Sequence, residues 1–413
     1  MSTRRVVITG MGAVTPFGVS VDRYWDGLVE GRSGIRPVSL FDVSTFDVRI
    51  GGEVPDFDAT PYLDRRVIKR LDRYAQFALV ACHEAVKASG LEPGRENPYR
   101  LATVFGSGIG GITELEQQHA RLLAKGPGKV SAFTIPRLML NAASGNISIQ
   151  YCAKGNSIAI ASACASATHA MGEAFRHIRY GHAEVVFTGG SEAALTPLAL
   201  AAFSAMKALS ARNDDWARAS RPFDRDRDGF VLAEGAGACL FEELEHAQAR
   251  NAPILAEVIG FAGSSDADHI TQPAEDGNGA AEAMRLAIAD AGIAPDQVDY
   301  INAHGTSTPL GDVAETVAIK EVFGAHAFKL VVSSTKSAVG HSLGASGGLE
   351  LIAVTRAVQN GIVPPTINLD HPGEGCDLDY CPNTARDHRI RVAMSNSFGF
   401  GGHNACIVIR RFE

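Results

Sequence analysis

Residues 158–164 read Ile-Ala-Ile-Ala-Ser-Ala-Cys, an apolar run typical of a β-strand. A helix-like stretch follows at once over residues 165–180, and Gly181 ends it. The thiol of Cys164 therefore stands at a strand-to-helix corner, where the positive end of the helix dipole favours thiolate and lowers the thiol pKa. Thiolate is the nucleophilic form of cysteine. Taken alone, Cys164 is either a nucleophile or an inert core residue, as most single cysteines in apolar surroundings are.

Short β-rich runs alternate with helical patterns along the rest of the chain. Strands are predicted over residues 5–9, 101–105, 157–161, 184–188, 236–241, 255–259, 298–302, 330–334, 392–395 and 406–409. Helices are predicted over residues 73–89, 165–180, 279–291, 312–323 and 344–360. This alternation predicts an α/β fold with a mostly parallel sheet.

The composition is that of an ordinary globular protein, with 46% hydrophobic and 20% charged residues among 413. The formal net charge of -8 gives no indication of nucleic-acid binding. The seven cysteines form no C-x-x-C pair, which disfavours a disulfide framework and a zinc ribbon. The start of the chain lacks the apolar segment of a signal peptide, and no apolar run is long enough to cross a bilayer. We therefore expect a cytoplasmic protein without a membrane partner.

The chain also contains a weak internal echo. Cys164 and His341 each precede a small-residue helix, and each of these helices ends at a glycine. No low-complexity linker divides the chain, but a soft boundary lies near residues 250–253. We therefore expect two related halves within one compact unit, residues 1–252 with the cysteine and residues 253–413 with the histidines.

Three further motifs place reactive side chains just beyond predicted strand ends. Residues 302–312 read Asn-Ala-His-Gly-Thr-Ser-Thr-Pro-Leu-Gly-Asp, residues 334–344 read Ser-Thr-Lys-Ser-Ala-Val-Gly-His-Ser-Leu-Gly, and residues 396–404 read Asn-Ser-Phe-Gly-Phe-Gly-Gly-His-Asn. In open α/β sheets, functional sites form at this edge of the sheet. The glycine-bounded loops of His304 and His341 favour a functional role for both over that of structural histidines.

Together these motifs resemble the β-ketoacyl-[acyl-carrier-protein] synthases, specifically the elongating type II condensing enzymes with a Cys-His-His site. The resemblance runs the length of the chain and includes residues 106–111, Gly-Ser-Gly-Ile-Gly-Gly, and the Arg-Pro-Phe-Asp of residues 221–224. It implies a thiolase-like fold, in which two pseudo-symmetric βαβαβαββ halves form a five-layer αβαβα arrangement. It also implies a homodimer, with acyl carrier protein as the partner that delivers acyl and malonyl groups.

The resemblance implies an acyltransferase that elongates fatty acids by decarboxylative Claisen condensation. Cys164 accepts an acyl group and keeps it activated as a thioester. Malonyl thioester then loses carboxylate, and His304 and His341 donate hydrogen bonds to the oxygen of the resulting enolate. The enolate carbon attacks the acyl group, whose carbonyl oxygen is bound by the backbone N–H groups of Cys164 and Phe400. The product is a 3-oxoacyl group on the carrier protein.

The same resemblance gives roles to several neighbours of these residues. Lys336 supports the site electrostatically and Glu350 is its buried partner, although a structural role is equally open for both. Phe400 resembles the gating aromatic of the family, between glycines that allow loop motion.

Four residues resemble those that bind substrate. Thr306 and Thr308 resemble hydroxyls that bind a phosphopantetheine arm, with ordinary turn chemistry as the alternative. Ile109 and Phe203 match positions that line the acyl pocket. His403 stays outside the catalytic set, because the family also uses threonine at this position.

A basic surface is expected because carrier proteins are acidic. The residues that match docking positions are Arg65, Arg66, Lys69, Arg70, Lys129, Lys207 and Arg212. A solvated helix face remains the alternative for any one of them. The resemblance implies no metal and no cofactor bound by the enzyme, since phosphopantetheine on the carrier protein carries both substrates.

Two other readings are weaker. A thiolase or a starter-type synthase is disfavoured by His341, because starter enzymes of this superfamily pair the cysteine with one histidine and one asparagine. The alternative function is a ketosynthase or a chain-length-factor-like subunit of a polyketide or other dedicated secondary pathway. Chain-length factors lack the nucleophile, so Cys164 argues against that role.

Overall fold

The computed structural model describes residues 3–413. The strands of its central sheet are β1 Val6–Thr15, β2 Leu101–Gly106, β3 Ser157–Ile160, β4 Val185–Glu192, β5 Gly235–Glu243, β6 Ala256–Ser265, β7 Tyr300–Asn302, β8 Val331–Ser333, β9 Val392–Gly399 and β10 His403–Arg410. Two-residue strands lie at Gly18–Val19, Arg36–Pro37, Ile50–Gly51, Ile362–Val363 and Arg386–Asp387. Gly18–Val19 extends the central sheet beside β1, and the other four form two small hairpin-like pairs.

The α-helices are α1 Val21–Val29, α2 Arg65–Ile68, α3 Arg73–Ser89, α4 Ile112–Lys125, α5 Thr134–Leu138, α6 Ala142–Tyr151, α7 Ser166–Arg179, α8 Pro197–Ala205, α9 Leu244–Ala249, α10 Asn278–Ala291, α11 Pro309–Phe323, α12 Lys336–Val339 and α13 Ser346–Asn360. Each predicted helix is present, and the start of α13 lies two residues later than predicted. Within residues 3–413, no helix has the length and apolar character that crossing a membrane requires.

The strand order of the sheet is nearly mirror-symmetric. It runs β3-β2-β4-β5-β1 through the first five strands and continues β6-β10-β9-β7-β8 through the other five. Read outward from the centre of the sheet, both halves therefore have the same order: the first, fifth, fourth, second and third strand of that half. The two sets meet where β1 pairs antiparallel with β6 over Val6–Ile8. The observed order confirms the prediction of a thiolase-like α/β fold, while the boundary at residue 252 stays a prediction.

Helices lie between the two halves of the sheet and on their outer faces, so that the molecule is layered. Helices α7 and α13 contact each other and strands of both halves, so they lie between them. Helices α3 and α6 cover the outer face of the first half, and α10 and α11 cover the second. The central helices approach closely, because a Cβ at Gly347 of α13 would lie 2.1 Å from Thr168 Oγ1 of α7. The result is the predicted five-layer arrangement.

The expectation of a mostly parallel sheet is wrong. Strand β2 runs parallel to β3 and β4, and β7 runs parallel to β8 and β9. All pairings among the middle strands are antiparallel. The physical reason is clearest at β9 and β10, where a tight turn through Gly401 and Gly402 joins them directly. A turn this short connects antiparallel strands, whereas a parallel pair needs a long crossover.

Strand β1 is longer than the prediction, which ended it at residue 9. Gly10 and Gly12 continue the strand because α3 lies directly against them. A Cβ at Gly10 would lie 2.1 Å from Ala85 O, and one at Gly12 would lie 1.9 Å from Ala81 O. Glycine marks a close backbone approach here rather than the end of a strand.

Candidate active site

Cys164 lies in a tight turn between β3 and α7. Ala163 takes up the left-handed conformation at φ 50°, which is uncommon for a residue with a Cβ and is typical of constrained functional turns. Ser166 fixes the turn, since its hydroxyl accepts a hydrogen bond from Ser162 N (2.9 Å) and donates one to Ala163 O (2.6 Å). The turn holds the thiol at the N-terminal end of α7, where it is 6% exposed.

His304 follows β7, and a carboxylate from the next helix positions its loop. The N–H groups of His304 and Gly305 donate to Glu315 of α11 at 2.9 and 2.8 Å. The ring nitrogen Nδ1 of His304 is buried and has no hydrogen-bond partner among the described residues. The imidazole is therefore held by its backbone and leaves its polar edge available.

His341 lies between α12 and α13. Its N–H donates to Val231 O at 2.8 Å, and its carbonyl accepts from Ala233 N at 3.0 Å. The ring nitrogen Nδ1 lies 2.9 Å from Ser346 Oγ, at the start of α13. These three contacts fix both the loop and the orientation of the ring.

The structure brings Cys164, His304 and His341 together. One sulfur or ring nitrogen from each lies within 4.8 Å of the others. The two imidazole rings are nearly perpendicular, at 85°, with centroids 5.4 Å apart. All three residues line a single cavity of about 480 Å³. A thioester that reaches the sulfur therefore also lies beside both imidazoles.

Lys336 places a buried positive charge near this group. Its ammonium pairs with the Glu350 carboxylate, and both side chains are 2% exposed. Burial, reinforced by the Lys336 charge, holds the pKa of both histidines well below 6.5. Both imidazoles are therefore neutral at physiological pH, and each carries one N–H to donate.

The expectation of a lowered Cys164 pKa is wrong for this resting site. Burial raises the pKa of the thiol to about 12, because thiolate loses its water. The Lys336 charge and the hydrogen bond from the Phe400 N–H oppose this rise without overcoming it. The residue is therefore a thiol at physiological pH.

Phe400 reaches the sulfur through its backbone. Its N–H donates to Cys164, and the residue lines the cavity in the turn that joins β9 to β10. Its ring centroid lies 6.5 Å from that of Phe203. Gly399 gives the turn room, because a Cβ there would lie 2.8 Å from Ser162 O and 3.0 Å from Cys164 N.

The residues predicted to bind substrate fall into two groups. Thr306 and Thr308 line the cavity, and their hydroxyls lie 3.0 Å apart. Thr308 caps α11 by accepting from Gly311 N, so the alternative of ordinary turn chemistry is observed for this residue. Ile109 and Phe203 are not in the cavity lining, but they pack against the apolar cluster that contains Cys164.

The predicted docking cations differ in their surroundings. Arg212 is half-buried, and its guanidinium donates to Asp226 O and lies 3.8 Å from Asp228. Its contacts therefore favour a structural role. Lys207 is exposed and lines the mouth of the cavity. The other five are exposed residues, namely Arg65, Arg66, Lys69, Arg70 and Lys129.

Sequence reasoning missed several residues that shape the site. Glu315 and Ser346 position the two histidine loops, and Phe398 lies with its ring centroid 5.9 Å from that of His304. Glu192, buried at the end of β4, accepts hydrogen bonds from two loops beside Cys164. The only available signal was their position. Glu315 and Ser346 lie near the starts of the predicted helices 312–323 and 344–360, which follow the two histidine motifs.

Two sets of atoms have metal-ligand character. Cys164, His304 and His341 offer sulfur and nitrogen, although the nearby Lys336 charge disfavours a cation there. On β7 and β9, Asn302, Ser395 and Asn396 bury side-chain oxygens that have no partner among residues 3–413. Oxygens of this kind suit a hard cation or a water molecule.

Comparison with known proteins agrees with this geometry. The β-ketoacyl synthase N-terminal domain matches residues 3–247, and the β-ketoacyl synthase C-terminal domain matches residues 255–370. The 3-oxoacyl-[acyl-carrier-protein] synthase 2 of Synechocystis sp. is 49% identical over 100% of this chain and 99% of its own length. The protein of the same name from Coxiella burnetii is 50% identical over the same shares of both chains.

Solved structures give the same result. A β-ketoacyl synthase from Burkholderia phymatum is 36% identical, with a TM-score of 0.93 over 99% of this chain and 100% of its own. A type II polyketide ketosynthase in complex with its acyl carrier protein is 35% identical, with a TM-score of 0.93 over 100% of both chains. Fold, full-length relatives and the Cys-His-His geometry agree, and this chain belongs to the β-ketoacyl synthase family.

Proposed function

We propose that this enzyme condenses acyl-[acyl-carrier-protein] with malonyl-[acyl-carrier-protein] in fatty-acid elongation. The products are 3-oxoacyl-[acyl-carrier-protein], carbon dioxide and free carrier-protein thiol, with one proton consumed. The observation that carries the proposal is one thiol and two neutral imidazoles with polar atoms within 4.8 Å of one another. The relatives at 49% and 50% identity carry the name of this activity.

The first step transfers the acyl group to Cys164. Its sulfur bonds to the thioester carbonyl carbon, and the bond from that carbon to the pantetheine sulfur breaks. Because burial raises the thiol pKa to about 12, the proton leaves as the new bond forms, through an imidazole to the departing thiolate. The Phe400 N–H already points at the sulfur and can bind the developing oxyanion together with the Cys164 N–H.

The second step removes carbon dioxide from the malonyl group. The electron pair of the broken C–C bond enters the thioester as an enolate, with charge on oxygen. Neutral His304 and His341 can each donate an N–H to that oxygen, and the nearby Lys336 ammonium adds a favourable field. A protonated histidine would gain less, because it would have to be desolvated as a cation.

The third step forms the new carbon–carbon bond. The enolate carbon attacks the carbonyl carbon of the acyl group on Cys164, and the bond to sulfur breaks. The thiolate then takes up a proton, which restores the resting thiol. The reaction balances without an oxidant, a reductant or a metal ion, so we propose that the enzyme needs no bound cofactor.

Acyl carrier protein is the proposed partner. One structural neighbour is a ketosynthase bound to its acyl carrier protein. Here Lys207 lies at the mouth of the cavity, and Thr306 and Thr308 line the path to Cys164, where a phosphopantetheine arm would pass. The exposed cations near α2 supply the charge that an acidic carrier needs.

A homodimer through the edge strand β3 is also proposed. In the described residues, the outer edge of β3 has no strand partner, and such edges are usually covered. Helix α6, which packs on β3, presents Ile149 at 76% exposure. Ile135 of the neighbouring α5 is 60% exposed. A second copy of the chain would cover this apolar edge.

We also propose that the protein works in a reducing cytoplasm, because all seven cysteines are free.

A polyketide ketosynthase is the second candidate, because one structural neighbour belongs to a type II polyketide system. Its identity of 35% is lower than the 49% and 50% of the relatives named 3-oxoacyl-[acyl-carrier-protein] synthase 2. A chain-length-factor role fits less well, since Cys164 meets both histidines.

The decisive experiment is intact mass spectrometry after mixing the enzyme with acyl-[acyl-carrier-protein]. We expect the mass of one acyl group on Cys164, absent from Cys164→Ala, and release of carbon dioxide when malonyl-[acyl-carrier-protein] is added. If folded enzyme with a reduced Cys164 forms no adduct, the proposal fails.

A further inference from the structure

Glu192 is a buried carboxylate that the proposed reaction does not use. It ends β4 and is 0% exposed. Both of its oxygens accept hydrogen bonds, and the donors come from two loops that are far apart in the sequence. The donors and their distances are Ser107 Oγ at 3.1 Å, Gly108 N at 2.7 Å, Ile109 N at 3.2 Å, Gly110 N at 3.3 Å and Gly344 N at 3.2 Å.

Each loop carries a residue that packs beside the nucleophile. The first loop follows β2 and carries Ile109, and the second follows His341 and carries Leu343. Ile109 packs against the apolar cluster in which Leu343 and Cys164 are buried. Glu192 therefore ties together two loops whose side chains, Ile109 and Leu343, form apolar walls beside Cys164.

The two loops touch through glycine backbone at the carboxylate. A Cβ at Gly344 would lie 2.2 Å from Gly108 N and 2.7 Å from a Glu192 oxygen. A Cβ at Gly108 would lie 2.9 Å from the same oxygen. This packing leaves no room for water or a side chain, so the carboxylate itself sets the spacing of the loops.

The ionised form of the Glu192 carboxylate is stabilised by its hydrogen-bond donors rather than by a cation. Among residues 3–413, no cation forms an ion pair with Glu192. Burial raises its pKa to about 7, against the opposing hydrogen bonds from Gly108, Ile109, Ser107 and Gly344. An amide in its place would turn one acceptor into a donor that faces backbone N–H groups. Replacement by glutamine would therefore separate the loops with little change in volume.

We propose that Glu192 is a positioning residue that sets the dependence on acyl-chain length, by holding the Ile109 loop against the Leu343 loop. This inference rests on the proposed acyl transfer to Cys164. In this proposal a long acyl chain lies between Ile109 and Leu343, which form these walls, whereas an acetyl group reaches only the sulfur. Loosened walls lose contact with the methylenes of a long chain, and each well-packed methylene is worth roughly tenfold in rate.

The test compares Glu192→Gln with the unsubstituted enzyme, using acetyl- and dodecanoyl-[acyl-carrier-protein] as probes. Mass spectrometry follows the rate of acylation of Cys164. We expect the dodecanoyl rate to fall roughly tenfold more than the acetyl rate. An equal change for both chains, no change, or a relative gain for dodecanoyl overturns the proposal. If the unsubstituted enzyme is acylated by neither, it is the proposed function that fails.

Two further variants separate positioning from loss of stability. Glu234→Gln changes another buried carboxylate, one that pairs with Arg73. We expect that variant to lose stability without a change in the ratio of dodecanoyl to acetyl rates. Ser107→Ala removes one donor and serves if Glu192→Gln does not fold, with a smaller shift in the same direction expected.

A double-mutant cycle tests the route of the effect. In an Ile109→Ala background, the wall that Glu192 positions is already cut back. We therefore expect Glu192→Gln to shift the ratio of dodecanoyl to acetyl rates much less there than in the unsubstituted enzyme. Additive shifts would show that Glu192 acts by another route and would overturn the assignment to the Ile109 loop.

Discussion

At the scale of single residues, the two histidines have a role that the thiol does not share. His341→Ala removes one of the two N–H donors that face the malonyl oxygen. We expect decarboxylation of malonyl-[acyl-carrier-protein] to fall about 10²–10³-fold, while acyl transfer to Cys164 is partly retained. Release of labelled carbon dioxide and the mass of the acyl-enzyme measure the two half-reactions separately. The exposed His119 supplies the control, His119→Ala, and an equal loss of both half-reactions would contradict the assignment.

The Lys336–Glu350 pair has a structural and an electrostatic side, which substitution can separate. Removing one partner of a buried ion pair leaves an uncompensated charge, so Lys336→Met alone should lower the free energy of unfolding by about 3–5 kcal/mol. Combining it with Glu350→Gln should restore much of that stability, measured by urea unfolding. We expect condensation to stay impaired in the double variant, because the Lys336 charge near the histidines is still missing. Full recovery of activity would make the pair purely structural.

At the scale of elements, the turn between β9 and β10 packs directly against the turn that carries Cys164. Gly399→Ala would place a methyl group 2.8 Å from Ser162 O and 3.0 Å from Cys164 N. We expect the turn to move outward and withdraw the Phe400 N–H, which slows acylation at least tenfold with little change in melting temperature. Gly94→Ala is the matched control, since its Cβ would meet nothing within 4 Å. Equal acylation rates in the two variants would argue against contact-driven positioning.

Helix α9 is anchored by a histidine whose charge depends on folding. Hydrogen bonds to Glu242 and Glu96 raise the pKa of His246 to about 9. A pKa raised by folding stabilises the protein fully below the unfolded value of about 6.5, and this contribution disappears as pH rises through about 9. We expect the free energy of unfolding to fall over that range, and His246→Gln to flatten the dependence. A profile that is the same with and without His246 would refute this.

At the scale of the whole molecule, carrier-protein binding should depend on salt. The net charge of -8 opposes an acidic partner, so a local basic surface must provide the attraction. We expect kcat/KM for acyl-[acyl-carrier-protein] to fall as salt rises, and Lys207→Glu to lower it further and weaken the salt dependence. Lys320→Glu is the control, because Lys320 of α11 already pairs with Asp377 and is not among the predicted docking residues. Identical salt profiles for Lys207→Glu and the unsubstituted enzyme would remove Lys207 from the docking surface.

The parts of this molecule that the sequence predicts are those with local causes. The Cys164 turn, α7 and the histidine loops each follow from a strand end or a helix start within a few residues. The family, predicted from the same motifs, is confirmed by the two family models and by the full-length relatives. Strand direction and the length of β1 depend on which distant element lies alongside, so local patterns misjudged both.

Glu192 and Glu315 were missed for a related reason. Glu192 accepts from backbone N–H groups of loops far away in the sequence, and Glu315 accepts from those of the loop that precedes its own helix. Backbone donors leave no mark on the amino-acid pattern. The Cys164 pKa was misjudged because a helix end is visible in the sequence whereas the depth of burial is not. Tertiary environment, rather than residue type, decides each of these properties.

The close crossing of α7 and α13 at Gly347 and Thr168 has a consequence for how the protein can be divided. The half with β1–β5 supplies the Cys164 sulfur, and the half with β6–β10 supplies both imidazoles. Catalytic turnover therefore requires that the interface between the two halves is intact. A chain nicked between α9 and β6 would give two polypeptides that are each inert and regain catalysis only on reassociation. Ligands that separate the two halves at this interface would inhibit the enzyme without entering the cavity.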